Sequence, residues 1–423
     1  MGSGLSCWLG VSGWWGEGAG VGFRRDLVVL RNRDVRVFVL ARFVSILGST
    51  IAPVALVFAV LDVSDSAGAV GTVLAARSIP NIVFMLIGGV IADRLPRHLV
   101  LVVANTVSGL TQGLAATLVL TGHATIWQLA AIEAVNGAAA AFVMPAMTGI
   151  LPSIVDRAEL PQANAIAGFA RSAAMIGGGA VAGVIVGLTG PGVGLAVDGV
   201  TFLIGAFLLS RLTIPRITRA ATSVLTDLRE GWSEFVSRQW VWVIVLAFGL
   251  LNLIFTACYQ TLGPVIADRT FGRAGWGLVS ACFGAGLVTS GVLMLRLRPR
   301  RPLRIGMLGM LLTVPVMLSL ALYPKTPVMA VSAFLLGVGF DVFGISWETA
   351  LGQHVPIDKL SRVASYDMLG SFIAGPLGQL TVGYLAAAIS VKAVELYGAG
   401  LFVLITVITL VVPSVWNLRR LDT

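Results

Sequence analysis

Windows of about 20 apolar residues recur along the whole chain, separated by short polar segments. Wound as a helix, such a window crosses roughly 30 Å of hydrocarbon. The pattern predicts twelve spans: 36–61, 67–91, 98–120, 125–149, 162–188, 194–211, 241–262, 275–296, 303–322, 328–350, 362–389 and 395–416. The sixth is short and the fifth and eleventh are long, which predicts tilt or kinks. Most connections are brief. The exception, 212–240, alternates Arg, Asp and Glu with Leu, Val, Trp and Phe, and predicts an interfacial helix from about Thr222 to Val236.

Composition agrees with this pattern. The chain is 57% hydrophobic and 12% charged, about half the ~25% charged residues of a soluble domain, and its mean hydropathy is +0.92. No polar stretch is long enough for a sizeable soluble core. The fold class expected is an all-α membrane protein, with twelve transmembrane helices in two six-helix bundles. The bundles are placed at 35–211 and 241–416, joined by a cytoplasmic linker at 212–240 and flanked by a disordered tail at 1–34 and a terminal tail at 417–423. The halves read as copies. An offset of 204 carries "GGVIADRLPRH" (88–98) onto "VLMLRLRPRRP" (292–302), and the same offset carries Pro152 onto Pro356. Internal repeats are common in transporters, with the binding site at the repeat interface.

The net charge of +9 is unevenly placed. On the side holding both termini there are 22 Lys and Arg, against 4 on the other side, with Arg42, Arg77 and Arg171 inside spans. The positive-inside rule makes both termini and the linker cytoplasmic. The basic excess orients the chain and meets anionic lipid, so nucleic acid is not an expected partner. Basic residues are 26 Arg and 3 Lys, which with the Ala and Gly excess suggests a GC-rich bacterial genome and a bacterial cytoplasmic membrane. Cys7, Cys258 and Cys282 have neither disulfide-scaffold nor metal spacing. His98, His123 and His354 are too scattered for an enzyme's catalytic cluster, so no enzyme activity, metal or cofactor is expected. Residues 1–23, rich in Gly and Trp, fit M-G-x-x-x-[ST] at Gly2 and Ser6 but read better as a tail or an over-extended start.

Between spans two and three stands G-x-x-x-D-R-x-x-R: Gly89, Asp93, Arg94 and Arg97. With "ARFVSILGS", "AARSIP", "VMPAMTGILPSIV" and "ELPQANAI", and a 6+6 duplication, the chain over about 35–416 resembles the major facilitator superfamily, in its bacterial branch of macrolide and siderophore exporters. Pro96 departs from the Gly usual there. The resemblance implies that Asp93 faces the N-terminus of the eleventh helix, expected near Ser361, and latches the cytoplasmic side shut. A carboxylate at a helix N-terminus gains ~0.3–1 kcal/mol exposed and up to ~2 partly buried. A polar, basic turn alone accounts for Arg94 and Arg97 but not for an acid at Asp93.

Ionised groups at the bilayer centre cost ~2.5–3.5 kcal/mol on insertion scales. At ~1.5 Å per residue, Arg77 and Arg171 lie about 15 and 14 Å into their spans, Glu133 about 12 Å and Asp341 about 20 Å. Asp198 and Glu348 fall nearer span ends, within reach of water. The resemblance implies that the first, fourth, seventh and tenth helices line the cavity, which gives it Arg42, Glu133, Asn136, Asn252, Tyr259, Gln260, Asp341 and Glu348. Two readings stand side by side. In one, the charges pair structurally, Glu133 with Arg171 for example. In the other, one acid takes up a proton and changes state as the cavity opens. Gly177, Gly179 and Gly183 miss a dinucleotide loop by one residue and lie mid-span. Gly179, Gly183 and Gly187 instead form a small-residue stripe for close helix packing, with Gly375 and Pro376 as a partial counterpart. The Gly-Pro that antiporters of the family carry in the fifth span is missing.

The expectation is a secondary transporter, a monomer among membrane lipids, that exports a small amphipathic molecule by alternating access with the proton gradient as energy source. Uptake or facilitation of a small solute or lipid, and a transport-dead sensor or scaffold, are the alternatives.

Overall fold

The computed structural model describes residues 27–94, 96–147, 150–156, 159–212, 232–297 and 299–421. The side chains at 86–94, at 357–365 apart from Lys359 and Val363, and at 144, 145, 161, 176, 180 and 295 fall outside that description. All regular structure among the described residues is helical. Eleven of these helices are long and apolar enough to cross a membrane. The fourth span is the remaining one: it breaks into Ile126–Ala140 and Val143–Met147. Pro145 has no N–H to give to the carbonyl of Ala141, so the ladder fails just there.

The other spans run Arg33–Val63, Ala67–Arg94, Arg97–Leu120, Leu160–Thr189 and Pro191–Ser210 in the first half of the chain. In the second half they are Gln239–Arg269, Gly272–Leu297, Pro302–Leu322, Thr326–His354, Ile357–Ile389 and Val391–Val411. Prolines set the irregularities again. The seventh span loosens into a π-helical stretch, Thr256–Leu262, where the Gly263 N–H reaches back to the Cys258 carbonyl. Pro264 follows and withholds the donor that the Gln260 carbonyl would otherwise receive. The eleventh span breaks after Phe372 and restarts at Gly375–Pro376. It begins at Ile357, one turn earlier than Ser361.

Two tight turns match across the halves. Gly190 (φ 90°, ψ 167°) opens the sixth span, and Ser390 (φ 85°, ψ 149°) opens the twelfth, 200 residues later. Glycine adopts this backbone freely; serine does so only under strain. Ser390 recovers part of the cost because its Oγ accepts the Ala393 N–H at 3.3 Å.

Ordered structure starts inside the stretch 1–34 assigned to a disordered tail. Leu27–Arg31 forms a short 3₁₀ turn. Val29 is buried with Val35, Phe38, Ile150, Leu151 and Leu209 in a cluster at the end of the bundle that carries the termini. Asn32 caps the first span through the Asp34 N–H and donates from Nδ2 to the Ile154 carbonyl at 2.8 Å. The C-terminal segment is held at the same end, with Arg420 N–H on the Arg300 carbonyl and Leu421 N–H on Gln353 Oε1. Most of the expected interfacial helix, 222–236, lies outside the described residues. Residues 232–237 are helical, and Trp232 and Phe235, stacked on each other, both meet the ring of Tyr366 of the eleventh span at a tilt.

Among the described residues, the tightest contacts between the first six and last six spans lie at the face opposite the termini. The fifth and eighth spans touch backbone to backbone at Gly183 and Gly277, then at Gly187 against Ala274. The second and eleventh do so where Gly71 meets the Gln379 carbonyl and Gly68 meets Gly383. The polypeptide halves are clamped there.

Candidate transport cavity

Beneath the clamp lies a cavity of about 410 Å³ between the two sets of six spans. One wall belongs to the second half. Tyr259, buried in the π-helical stretch, lies 5.2 Å from the ring of Trp276 and 6.2 Å from that of Phe283, and stacks on Phe255 at 5.3 Å. The facing wall carries Ser49, Thr50, Arg77 and Ser78 from the first two spans. The remaining lining includes Gly179 and Met175 of the fifth span and Gln379 of the eleventh.

The fourth and tenth spans, expected at the cavity by resemblance, contribute no described lining residue to it. The physical reason is close packing. Gly137 of the fourth span presses on the carbonyl of Arg77, and Gly337 of the tenth presses on that of Phe283. A Cβ at these glycines would sit 1.9 and 2.1 Å from those oxygens. The fourth and tenth helices therefore pack directly against the second and eighth.

Glu133 of the fourth span is fully buried. Its partner is Arg77, with Nη1 to Oε2 at 3.2 Å, and not Arg171, the example given for structural pairing. Gln112 of the third span donates from Nε2 to the other oxygen at 2.9 Å. Arg77 remains about a quarter exposed, so it bridges the buried acid and the cavity wall. Asn136 donates to Thr111 Oγ1 at 3.2 Å, and Asn81 donates to the Gly137 carbonyl at 3.1 Å. Buried polar groups need such partners, because an unmade hydrogen bond in a dry interior is costly.

The other expected residues are dispersed. Arg171 is exposed and lies within electrostatic range of half-buried Arg42 and of Asp341. Asp341 accepts from Ser290 Oγ at 2.9 Å. Glu348 is exposed. Asn252 donates to the Ser371 carbonyl at 3.0 Å, a packing bond between the seventh and eleventh spans. Gly375 and Pro376 pack beside Thr256, whose hydroxyl donates to the Gly375 carbonyl at 3.0 Å. Gly179, Gly183 and Gly187 face the eighth span. Of the turn motif, the side chains of Gly89, Asp93 and Arg94 lie outside the described residues, and half-buried Arg97 begins the third span.

Two acids that the sequence reading left out of the cavity are wholly buried. Asp198, expected near water, is enclosed in the sixth span, with Arg77 and Glu133 near enough to act on its charge. Glu395, in the twelfth span, lies against Cys258 of the seventh. The expected span began at Glu395, so this acid read as a boundary; the helix starts one turn earlier, at Val391.

Charges also line both faces. At the face opposite the termini, Arg273 of the eighth span pairs with Asp62 at 2.6 Å and Asp268 at 2.7 Å, while Arg269 pairs with Asp65 at 2.8 Å. At the termini face, Glu234 accepts from Lys359 of the eleventh span at 2.7 Å and from Arg238. Those bonds, Lys359 first, hold the Glu234 carboxyl below its ordinary range. Among the described residues, no group of three His, Cys, Asp or Glu side chains is placed to hold a metal.

A family model described as Major Facilitator Superfamily matches residues 38–378. The chain is 26% identical over 398 residues to the multidrug efflux pump Tap of Mycobacterium tuberculosis, covering 89% of this chain and 91% of that protein. It is 25% identical over 338 residues to the putative bacilysin exporter BacE of Bacillus subtilis, covering 78% and 83%. Among solved structures, a variant of the nucleoside transporter NupG superposes with a TM-score of 0.71 at 15% identity, covering 88% of this chain and 99% of that one. A bacterial homologue of the human lysosomal transporter Spinster, in an inward-facing and unoccupied conformation, gives 0.67 at 14%, covering 90% and 96%. At these identities the two structures speak for the fold.

Proposed function

The chain belongs to the Major Facilitator Superfamily, and on that premise we propose that it exports a small amphipathic compound by alternating access, in exchange for protons. It is a membrane transporter and not an enzyme. The observation that carries the finer reading is the composition of the cavity: three aromatic rings, Tyr259, Trp276 and Phe283, face a wall bearing Arg77 backed by Glu133. An aromatic wall receives the apolar body of a ligand, and a few polar groups fix its head. Tap and BacE, named as an efflux pump and an exporter, support the outward direction.

In this reading the protein sits in a bacterial cytoplasmic membrane with both termini inside, as the 22-to-4 distribution of Lys and Arg favours. The structure described then has its outer face clamped and receives substrate from the cytoplasm. Rocking of the halves opens the outer seam and brings Asp93 against the start of the eleventh span. No cofactor takes part; the proton gradient supplies the energy.

The test is transport by purified protein in proteoliposomes under an imposed pH gradient, with a panel of lipophilic compounds. Compound-dependent dissipation of the gradient, reduced in Glu133→Gln or Asp341→Asn, is the expected result. Compound movement without proton movement would make the protein a facilitator and end the antiport reading.

A further inference from the structure

We propose that Asp198 is the residue that binds the carried proton, and that a cationic head on the substrate is what expels it. The proposal rests on the antiport reading above and assigns its chemistry to one carboxyl.

Asp198 is 0% exposed, and neither of its oxygens has a hydrogen-bond partner. The Thr201 hydroxyl beside it donates to the Asp198 backbone carbonyl instead, at 2.7 Å. The first span presents Gly48, where a Cβ would lie 2.8 Å from Asp198 Oδ1. The third span packs against the neighbouring Gly199 through Gly109, Gly113 and Gln112, whose amide is committed to Glu133. One turn earlier, Gly194 packs on the apolar Val186 of the fifth span. The charged groups near enough to act on Asp198 are Arg77 and Glu133, which are already joined to each other.

The cluster thus holds one guanidinium and two carboxyls. Arg77 balances Glu133, which has hydrogen-bond donors on both oxygens. A second carboxylate in the same dry interior, with no donor, is far costlier than a neutral carboxylic acid. Asp198 therefore carries a proton in this conformation.

Position makes that proton useful. Asp198 is seven residues into the sixth span from Pro191, and Glu133 is seven into the fourth from Ile126. Both lie about 10 Å below the clamped face. Opening that face brings outside water toward Asp198; closing it leaves Arg77 as the cluster's contact with the cavity. A cation seated on the rings of Tyr259, Trp276 and Phe283 is held by their π faces. Its charge stabilises ionised Asp198, so the O–H bond breaks and the proton leaves through the cavity as the cation is bound. One positive charge replaces another.

The experiment adds tetraphenylphosphonium to purified protein in weakly buffered detergent solution with a pH-sensitive dye, following binding by tryptophan fluorescence. Wild type is expected to release about one proton per cation bound. Asp198→Asn, which keeps the shape of a neutral acid, is expected to bind and exchange labelled cation while releasing no proton. Asp198→Glu is expected to restore release with a shifted pH midpoint. Proton release by Asp198→Asn equal to wild type overturns the assignment, and Glu395→Gln or Asp341→Asn then identifies the carrier. Failure of Asp198→Asn to fold also overturns it, because an ionised Asp198 would then be part of the scaffold. A wild type that binds no tetraphenylphosphonium overturns the cationic trigger. A wild type that moves compound in liposomes but never protons removes the antiport reading itself, a different result from each of these.

Discussion

Gly183 and Gly277 meet with no side chain between them: a Cβ on Gly183 would lie 2.4 Å from the Cα of Gly277. This contact draws the fifth and eighth spans together at the face opposite the termini. Gly183→Val must push the helices apart. Overpacking of this kind costs about 1–3 kcal/mol, or roughly five- to a hundred-fold in the balance between clamped and open forms. Thiol labelling of a cysteine placed at Ser280 reads that balance, and the rate with an impermeant reagent from that face should rise. An unchanged rate would mean that the seam is not set by this pair.

The ion pairs at the same face contribute less. Arg273 and Asp62 are about a quarter and two-fifths exposed, and exposed pairs contribute about 0.2–1 kcal/mol. Arg273→Gln should therefore shift labelling by no more than about fivefold, and added salt should erase the difference. A larger, salt-insensitive shift would show that Arg273 holds the seam by another route.

Arg77 and Glu133 behave differently because Glu133 is buried. Removing one partner strands the other, at a cost of about 3–5 kcal/mol for fully buried pairs. Since Arg77 is partly exposed, the lower end is expected for Glu133→Leu. The double change Arg77→Met with Glu133→Leu should recover most of the loss. Thermal unfolding in detergent measures both, and a double variant no better than the single would mean that the pair is not the relevant interaction.

Glu234 sets a pH dependence at the termini face. Its folded carboxyl titrates below its ordinary value of 4.5 because Lys359 and Arg238 donate to it. The pairing therefore contributes fully above pH 4.5 and is lost as pH falls through the lower folded value. Docking of residues 232–237 on the eleventh span should be constant from neutral pH down to about 4.5 and fail below it. The Trp232 emission, taken as the difference from Glu234→Gln, follows this. A transition near neutrality would point to another group.

Ser390 sits where glycine belongs. Ser390→Gly relieves backbone strain of about 1–3 kcal/mol but loses the acceptor for the Ala393 N–H. A net gain on the order of 1 kcal/mol in thermal stability is expected. Gly190→Ser should lower stability instead.

The spans were readable because hydrocarbon thickness imposes a run length that few other pressures produce. The breaks were harder to see. Pro145 and Pro376 lie inside apolar windows and Pro264 two residues beyond one, and hydropathy does not register a missing N–H. Depth along a helix was legible, but rotation about its axis was not. Arg77 and Arg171 come out equally deep, and only helix packing decides that Arg77 faces Glu133 while Arg171 is exposed. Asp198 failed for the same reason. Counting from a span end measured its distance to water along the axis and missed the wall formed by Gly48 and the third span. The turn motif at Asp93 was legible as a pattern, and its side chain lies outside the described residues.

The glycines of the seam have one more consequence. A gate made of side chains flickers, since each rotamer swings by itself within nanoseconds. Gly183, Gly277, Gly71 and Gly68 offer nothing to swing, so the seam parts only when whole helices move together. Brief local fluctuations then cannot admit a water file across the closed face, and the barrier to leakage is set by the rigidity of the helices themselves.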